Sequence, residues 1–202
     1  MLFIVITQPQ FINDEHVHIR VLTDCGVDIV HLRKPNSDID ECRCLLDKLP
    51  QDTLQHIVIH DHYTLAEEYP IIGAHFSPRL SNPRPFFPFH SASCHSITEL
   101  QHVLTETVYG PQPLKYAFLS PIFNSISKEG YNSNFTDEEL ARAADEGIIN
   151  DRVIALGGCT LGNIPTLKHW HFGGVAFLGD VWSKVGSADF PGYLHRLKTA
   201  LN

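Results

Sequence analysis

Basic residues are scarce in this chain. There are 15 against 23 acidic ones, for a net charge of −8, which excludes an overall field that would draw the surface to nucleic acid or to an anionic membrane. Any anion it binds must be held locally. No apolar run approaches the ~20 residues that span a bilayer. The opening MLFIVITQPQ has neither a basic stretch before its apolar run nor a small-residue cleavage site after it, so it does not read as a secretory signal. The five cysteines (Cys25, Cys42, Cys44, Cys94, Cys159) are odd in number and show no CxxC spacing. They read as reduced, mostly buried thiols of a cytoplasmic protein rather than a disulfide framework; a zinc site is a poorer alternative, because structural-zinc ligand spacing is missing. The first strand-to-helix turn, TQPQ, lacks GxGxxG, which argues against a dinucleotide site there.

What is present is 202 residues, 43% of them hydrophobic, enough for one globular domain over 1–202, and a surplus of 13 histidines. Short apolar runs alternate with helical patterns. The strand-like segments are 2–7, 28–33, 56–60, 73–77, 89–93, 115–120, 152–156 and 174–178. Helical spacing appears at 14–25, 38–49, 62–69, 96–106, 136–146, 162–168 and 188–201. Strands that are apolar throughout imply a sheet covered on both faces, and strict alternation with helices implies parallel connections. Eight such units predict an α/β fold, a single-domain (β/α)8 TIM barrel, with a doubly wound open sheet as the rival.

In a barrel the chemistry lies just after each strand. Those positions hold His31, Arg33 and Lys34; His60, Asp61 and His62; His75; Ser93 and His95; Ser120, Ser125, Ser127 and Lys128; Gly157 and Gly158; Leu178 and Gly179. Two glycine turns, ALGGCT and FLGD, follow the last two strands. Glycine lets backbone N–H groups approach a phosphate closely, although such turns also serve merely to reverse the chain. The loop SPIFNSISKEGY at 120–131 adds hydroxyls and a lysine, a set that can hold one phosphate oxygen and neutralise another, or simply be a solvated loop. Arg33, Lys34 and Lys128 would supply a local positive patch suited to a substrate with two phosphorylated pieces. Histidines away from these positions, such as His16, His18 and His195, read as surface or satisfied interior residues.

Seven stretches in register carry a family resemblance: HLRKP at 31–35, IHDHYTLA at 59–66, GAHFS at 73–77, SCHS at 93–96, SPIFNSISK at 120–128, ALGGC at 155–159 and GGVAFLGDV at 173–181. Over nearly the whole chain it resembles the thiamin phosphate synthase and thiazole tautomerase superfamily, most closely the synthases. The resemblance implies a transferase that joins a hydroxymethylpyrimidine diphosphate to a thiazole phosphate, with Mg2+ and basic residues stabilising the departing diphosphate. It also implies small-molecule substrates, no nucleic acid or membrane partner, and a homodimer, which is common in the family. Carried over, Arg33 and Lys128 would meet the diphosphate as catalytic residues, Asp61 would hold magnesium and Ser93 would contact the pyrimidine. Ser125, Ile126, Ser127, Gly157, Gly158, Leu178 and Gly179 would line the thiazole phosphate site.

Several positions depart from the family pattern. His60 and His31 stand where an asparagine and a glutamine read the pyrimidine, and Pro35 replaces a basic residue whose charge Lys34 could restore. Leu80, with Arg79 beside it, stands where a second magnesium aspartate is expected. Loss of that carboxylate suits the sister activity, a thiazole phosphate carboxylate tautomerase that uses histidine as a proton carrier, whereas Pro121 in SPIF is the synthase form. A non-catalytic phosphate-binding barrel is the third reading.

Overall fold

Successive side chains along each strand point to opposite faces, and both faces are largely apolar and buried, so the sheet is covered on each side. The computed structural model describes residues 1–76, 87–105, 113–124 and 133–202. Its strands are β1 Leu2–Ile6, β2 Ile29–Leu32, β3 Ile57–Ile59, β4 Gly73–Phe76, β5 His90–Cys94, β6 Tyr116–Leu119, β7 Val153–Leu156 and β8 Gly174–Phe177. All pair in parallel with their sequence neighbours, and β1 also pairs with β8, so the sheet is a closed barrel. The open-sheet rival is excluded, because closure leaves no sheet edge. The helices are α1 Glu15–Asp24, α2 Ile39–Leu46, α3 Gln51–Leu54, α4 Ile97–Thr105, α5 Asp137–Asp145, α6 Ile164–His169, α7 Gly179–Trp182 and α8 Phe190–Leu201.

The period of two splits the core in two. Ile4, Ile6, Ile29, Val58, Tyr116, Phe118, Ile154 and Ala176 fill the lumen. Phe3, Val5, Val30, Ile57, Ala74, Ala117, Val153 and Phe177 face outward and pack under the helices. Phe3 and Phe177 meet edge to face at 5.6 Å across the β1–β8 seam, which is also tied by the Trp182 indole N–H donating to the Ile6 carbonyl at 2.7 Å. Helix starts are written locally. Thr136 and Glu139 form a reciprocal capping box at α5, as do Asp38 and Glu41 at α2, each satisfying N–H groups that a helix start otherwise leaves bare.

Three local expectations change. The 62–69 segment is a 3-10 turn over Tyr63–Glu67, entered through His62 in the left-handed region at φ 53°. The helix expected over 38–49 ends earlier, at Leu46, and a separate α3 starts after Pro50, which lacks the N–H that a continuous helix would need. The single turn α7 follows the second glycine turn and was too short to show a period. All five thiols are free, and only Cys44 is exposed. Among the described residues no helix is long and apolar enough to cross a membrane.

Candidate active site

Strand parity determines which side chains reach the mouth. In β2 the lumen-facing series is Ile29, His31 and then Arg33. Leu32 and Lys34 have the opposite parity, and the structure separates them accordingly. His31 is fully buried in the lumen, and Arg33 is half-buried at the rim with no acidic partner among the described residues. Lys34 points the other way and corrects the expectation of a mouth cation. It is 2% exposed, and its ammonium contacts the Glu15 carboxylate at 2.6 and 2.7 Å and the Gln8 and Gln10 carbonyls at 2.9 Å each. Three N–H donors are thereby consumed, and none remains for a substrate.

Under the rim the lumen carries a polar layer. His31 Nδ1 lies 2.9 Å from His60 Nε2, and His31 Nε2 lies 2.5 Å from the Tyr116 hydroxyl. His75 is held at both nitrogens, 2.9 Å from Ser91 Oγ and 2.9 Å from Ser93 Oγ. Burial pushes the His31, His60 and His75 imidazoles down, the last to about 3, with the Arg33 charge adding to the effect on His60 and His75. All three are therefore neutral at physiological pH. The phenol of Tyr116 is pushed up by burial and keeps its proton.

This layer makes the fold sensitive to acid. Neutral His31 and His75 take up protons readily only when unfolded, so their contribution is complete above about pH 6.5 and is lost as pH falls toward their folded values. Each such group costs up to about 1.4 kcal/mol per pH unit. Urea unfolding should therefore show a loss of about 2 kcal/mol between pH 6 and pH 5, before carboxylates titrate. A flat profile over that interval would contradict neutral burial of these rings.

The nitrogens of His31, His60 and His75 lie within 4.8 Å of one another, but their directions do not suit a metal ion. His60 and His75 are stacked at 4.3 Å with 23° between their planes, so their in-plane lone pairs run side by side rather than converge. His31 Nδ1 and His60 Nε2 already face each other and share one proton in a hydrogen bond, so neither is aimed at a common third point. Asp61, exposed directly after β3, lies outside this group. An oxygen-seeking ion such as Mg2+ held by Asp61 would need further oxygens from phosphate and water. The position expected for a second aspartate, Leu80, lies outside the described residues.

The two glycine turns complete the rim. Gly157 and Gly158 have φ of 98° and 64°, a conformation glycine adopts without strain. Their carbonyls are taken by Phe123 N–H and by the Asn163 side chain, both at 3.0 Å. The N–H groups of Gly157, Gly158, Leu178 and Gly179 have no backbone or side-chain acceptor among the described residues. Asp180 would oppose an anion, but the Tyr193 hydroxyl donates to its carboxylate. Ser125, Ile126, Ser127 and Lys128 lie outside the described residues.

Sequence reasoning placed His31, Arg33, His60, Asp61, Ser93 and the glycine turns on one rim and lumen. It placed His75 at the mouth without giving it a role, and it did not find Tyr116 or Ser91. The parity of KYAFLS and FHSAS would have found them, since Tyr116, Phe118, Ser91 and Ser93 all share the inward face.

Comparison with known proteins agrees with this geometry. The family model described as thiamine monophosphate synthase matches residues 3–181. A thiamine phosphate pyrophosphorylase from Bacteroides thetaiotaomicron superposes with a TM-score of 0.83 at 33% identity, covering 99% of this chain and 97% of that one. A thiamine phosphate pyrophosphorylase from Pyrococcus furiosus gives 0.75 at 18% identity, covering 99% and 95%. TrpF from Jonesia denitrificans gives 0.58 at 16%, covering 100% and 97%. The last two identities speak for the fold alone. None of the curated proteins compared matches the chain.

Proposed function

The chain belongs to the thiamine monophosphate synthase family, and from that premise we propose that it joins a hydroxymethylpyrimidine diphosphate to a thiazole phosphate with release of pyrophosphate. The observation that carries the reading is the pair of glycine turns, whose four N–H groups have no acceptor among the described residues, on the same rim as Arg33, which has no acidic partner among them. Backbone donors fixed before the substrate arrives hold a phosphate without reorganisation, and a cation beside the leaving diphosphate stabilises the charge that grows as the C–O bond breaks.

In this reading Gly157, Gly158, Leu178 and Gly179 hold the thiazole phosphate, Arg33 faces the diphosphate, and Ser93 and His60 meet the pyrimidine at the floor of the mouth. The apolar lumen below, with Phe118 packed 4.9 Å from His31, keeps water from the carbon that loses its diphosphate. Asp61 would hold Mg2+ together with the diphosphate oxygens, and the ion would supply further charge neutralisation to the leaving group.

A second reading is proton transfer on a thiazole phosphate carboxylate, which would use the same glycine turns for the phosphate and needs no diphosphate. One assay separates the two. With both synthase substrates and Mg2+, the purified protein should release pyrophosphate in step with coupled product. No pyrophosphate at high enzyme concentration, together with deuterium exchange into the thiazole carbon without any pyrimidine present, would establish the second reading instead.

A further inference from the structure

Three residues stand in line from the lumen to the mouth: Tyr116 at the start of β6, His31 in β2 and His60 after β3. Tyr116 and His31 are buried, at 2% and 0% exposure, while His60 reaches the surface. Both contacts in the line are close, 2.5 Å from the Tyr116 hydroxyl to His31 Nε2 and 2.9 Å from His31 Nδ1 to His60 Nε2.

Proton bookkeeping gives this line a direction. The Tyr116 hydroxyl has one proton and two neighbours, the His31 imidazole and the cross-strand Ser91 hydroxyl. An imidazole nitrogen is a far stronger base than an alcohol oxygen, and it is the one at 2.5 Å, so the phenol donates to His31 Nε2. A neutral imidazole that accepts at Nε2 carries its hydrogen at Nδ1. His31 Nδ1–H therefore donates to His60 Nε2, and the hydrogen of neutral His60 is left on Nδ1. That nitrogen has no partner among the described residues.

We propose that Tyr116 is a positioning residue which, through His31, fixes His60 as the Nδ1–H tautomer and so makes this end of the mouth a hydrogen-bond donor that selects rings presenting an acceptor nitrogen. A carboxamide at the same place carries both a donor and an acceptor and can turn either one outward. The Tyr116–His31–His60 line removes that choice. Rings presenting an N–H or an exocyclic amine at this point are disfavoured, because a donor would face a donor. The tautomer assignment depends only on the contacts above, whereas its use on a pyrimidine ring rests on the synthase reading.

Long-range 1H–15N correlation spectra of the full chain, labelled at histidine and recorded without substrate at pH 7.5, test the assignment directly. His31 and His60 should both appear as Nδ1–H tautomers. In Tyr116→Phe, which keeps the ring and removes only the hydroxyl, His31 should become a tautomer mixture and His60 should follow it. KM for the pyrimidine diphosphate should rise about five- to tenfold, the worth of one hydrogen bond, with binding of inorganic pyrophosphate unchanged. A purely structural role for Tyr116 would move stability but neither tautomer. His60 as Nε2–H in the wild-type chain overturns the proposal even if Tyr116→Phe does not fold, and so does a Tyr116→Phe spectrum with both tautomers unchanged. Absence of turnover in the wild type would remove the synthase reading while leaving the tautomer result to stand or fall by itself.

Discussion

Gly158→Ala should cut pyrophosphate release at least about 100-fold, the penalty that about an ångström of misplacement carries at a preorganised site. At φ 64° an alanine already pays for a left-handed backbone, and its Cβ would sit 2.4 Å from the Asn124 carbonyl oxygen and 2.7 Å from Phe123 Cβ. Both obstacles belong to the loop after β6, and one of them is backbone, so no flexible side-chain tip can yield. Either the β7 turn or that loop must move, and the donors at Gly157 and Gly158 move with it. Gly147→Ala is the matched control: its φ of 71° is similar, but nothing lies within 4 Å of the added carbon. It should cost about 1 kcal/mol of stability and leave turnover within twofold. Steady-state rates and thiazole phosphate titrations on both variants make the comparison. Wild-type turnover in Gly158→Ala would show that this turn does not hold the substrate.

The barrel was legible because its signals are local and repeated. Each strand is a short apolar run, each connection has helical spacing, and eight such units leave few ways to cover both faces of a parallel sheet. The segments that went astray lack such redundancy. Tyr63–Glu67 is five residues long and α7 four, so neither completes enough turns to display a period. The glycine turns were visible as residue types in the right places, but whether their N–H groups find acceptors depends on what packs against them, and no sequence pattern records that.

The polar floor of the mouth was legible only in part, for a different reason. His31, His60 and Ser93 were found by position after strands and by family resemblance. Reading all three alike as direct ligands for a ring, His31 included, treats the site as one layer deep. Depth follows from strand parity combined with barrel stagger: His31 is level with Val58 in the β2–β3 register, so it sits one step below His60. A buried residue there acts on a ligand only through the residue above it, which is why Tyr116, deeper in chain terms and remote in sequence, belongs to the same functional unit.

Glu15→Gln should destabilise the protein by about 3–5 kcal/mol, the cost of leaving a buried charge without its partner. Burial pushes Glu15 up and Lys34 down, and the contact between them opposes both shifts and keeps the pair ionised. The glutamine variant removes the countercharge and leaves the ammonium with the Gln8 and Gln10 carbonyls and the face of Phe11, 4.6 Å away. Neutralising the lysine is then the cheapest response, so the loss should ease at high pH. Removing both charges together, in Glu15→Leu with Lys34→Met, should recover most of the stability, since a buried pair seldom outperforms apolar packing of the same volume. Urea midpoints for the single and double variants decide this, and a Glu15→Gln loss below 1 kcal/mol would mean the pair is solvated. The pair joins the start of α1 to the segment directly after Arg33. A misplaced Lys34 would therefore carry the rim guanidinium with it, and Glu15→Gln should also lower turnover in the fraction that remains folded.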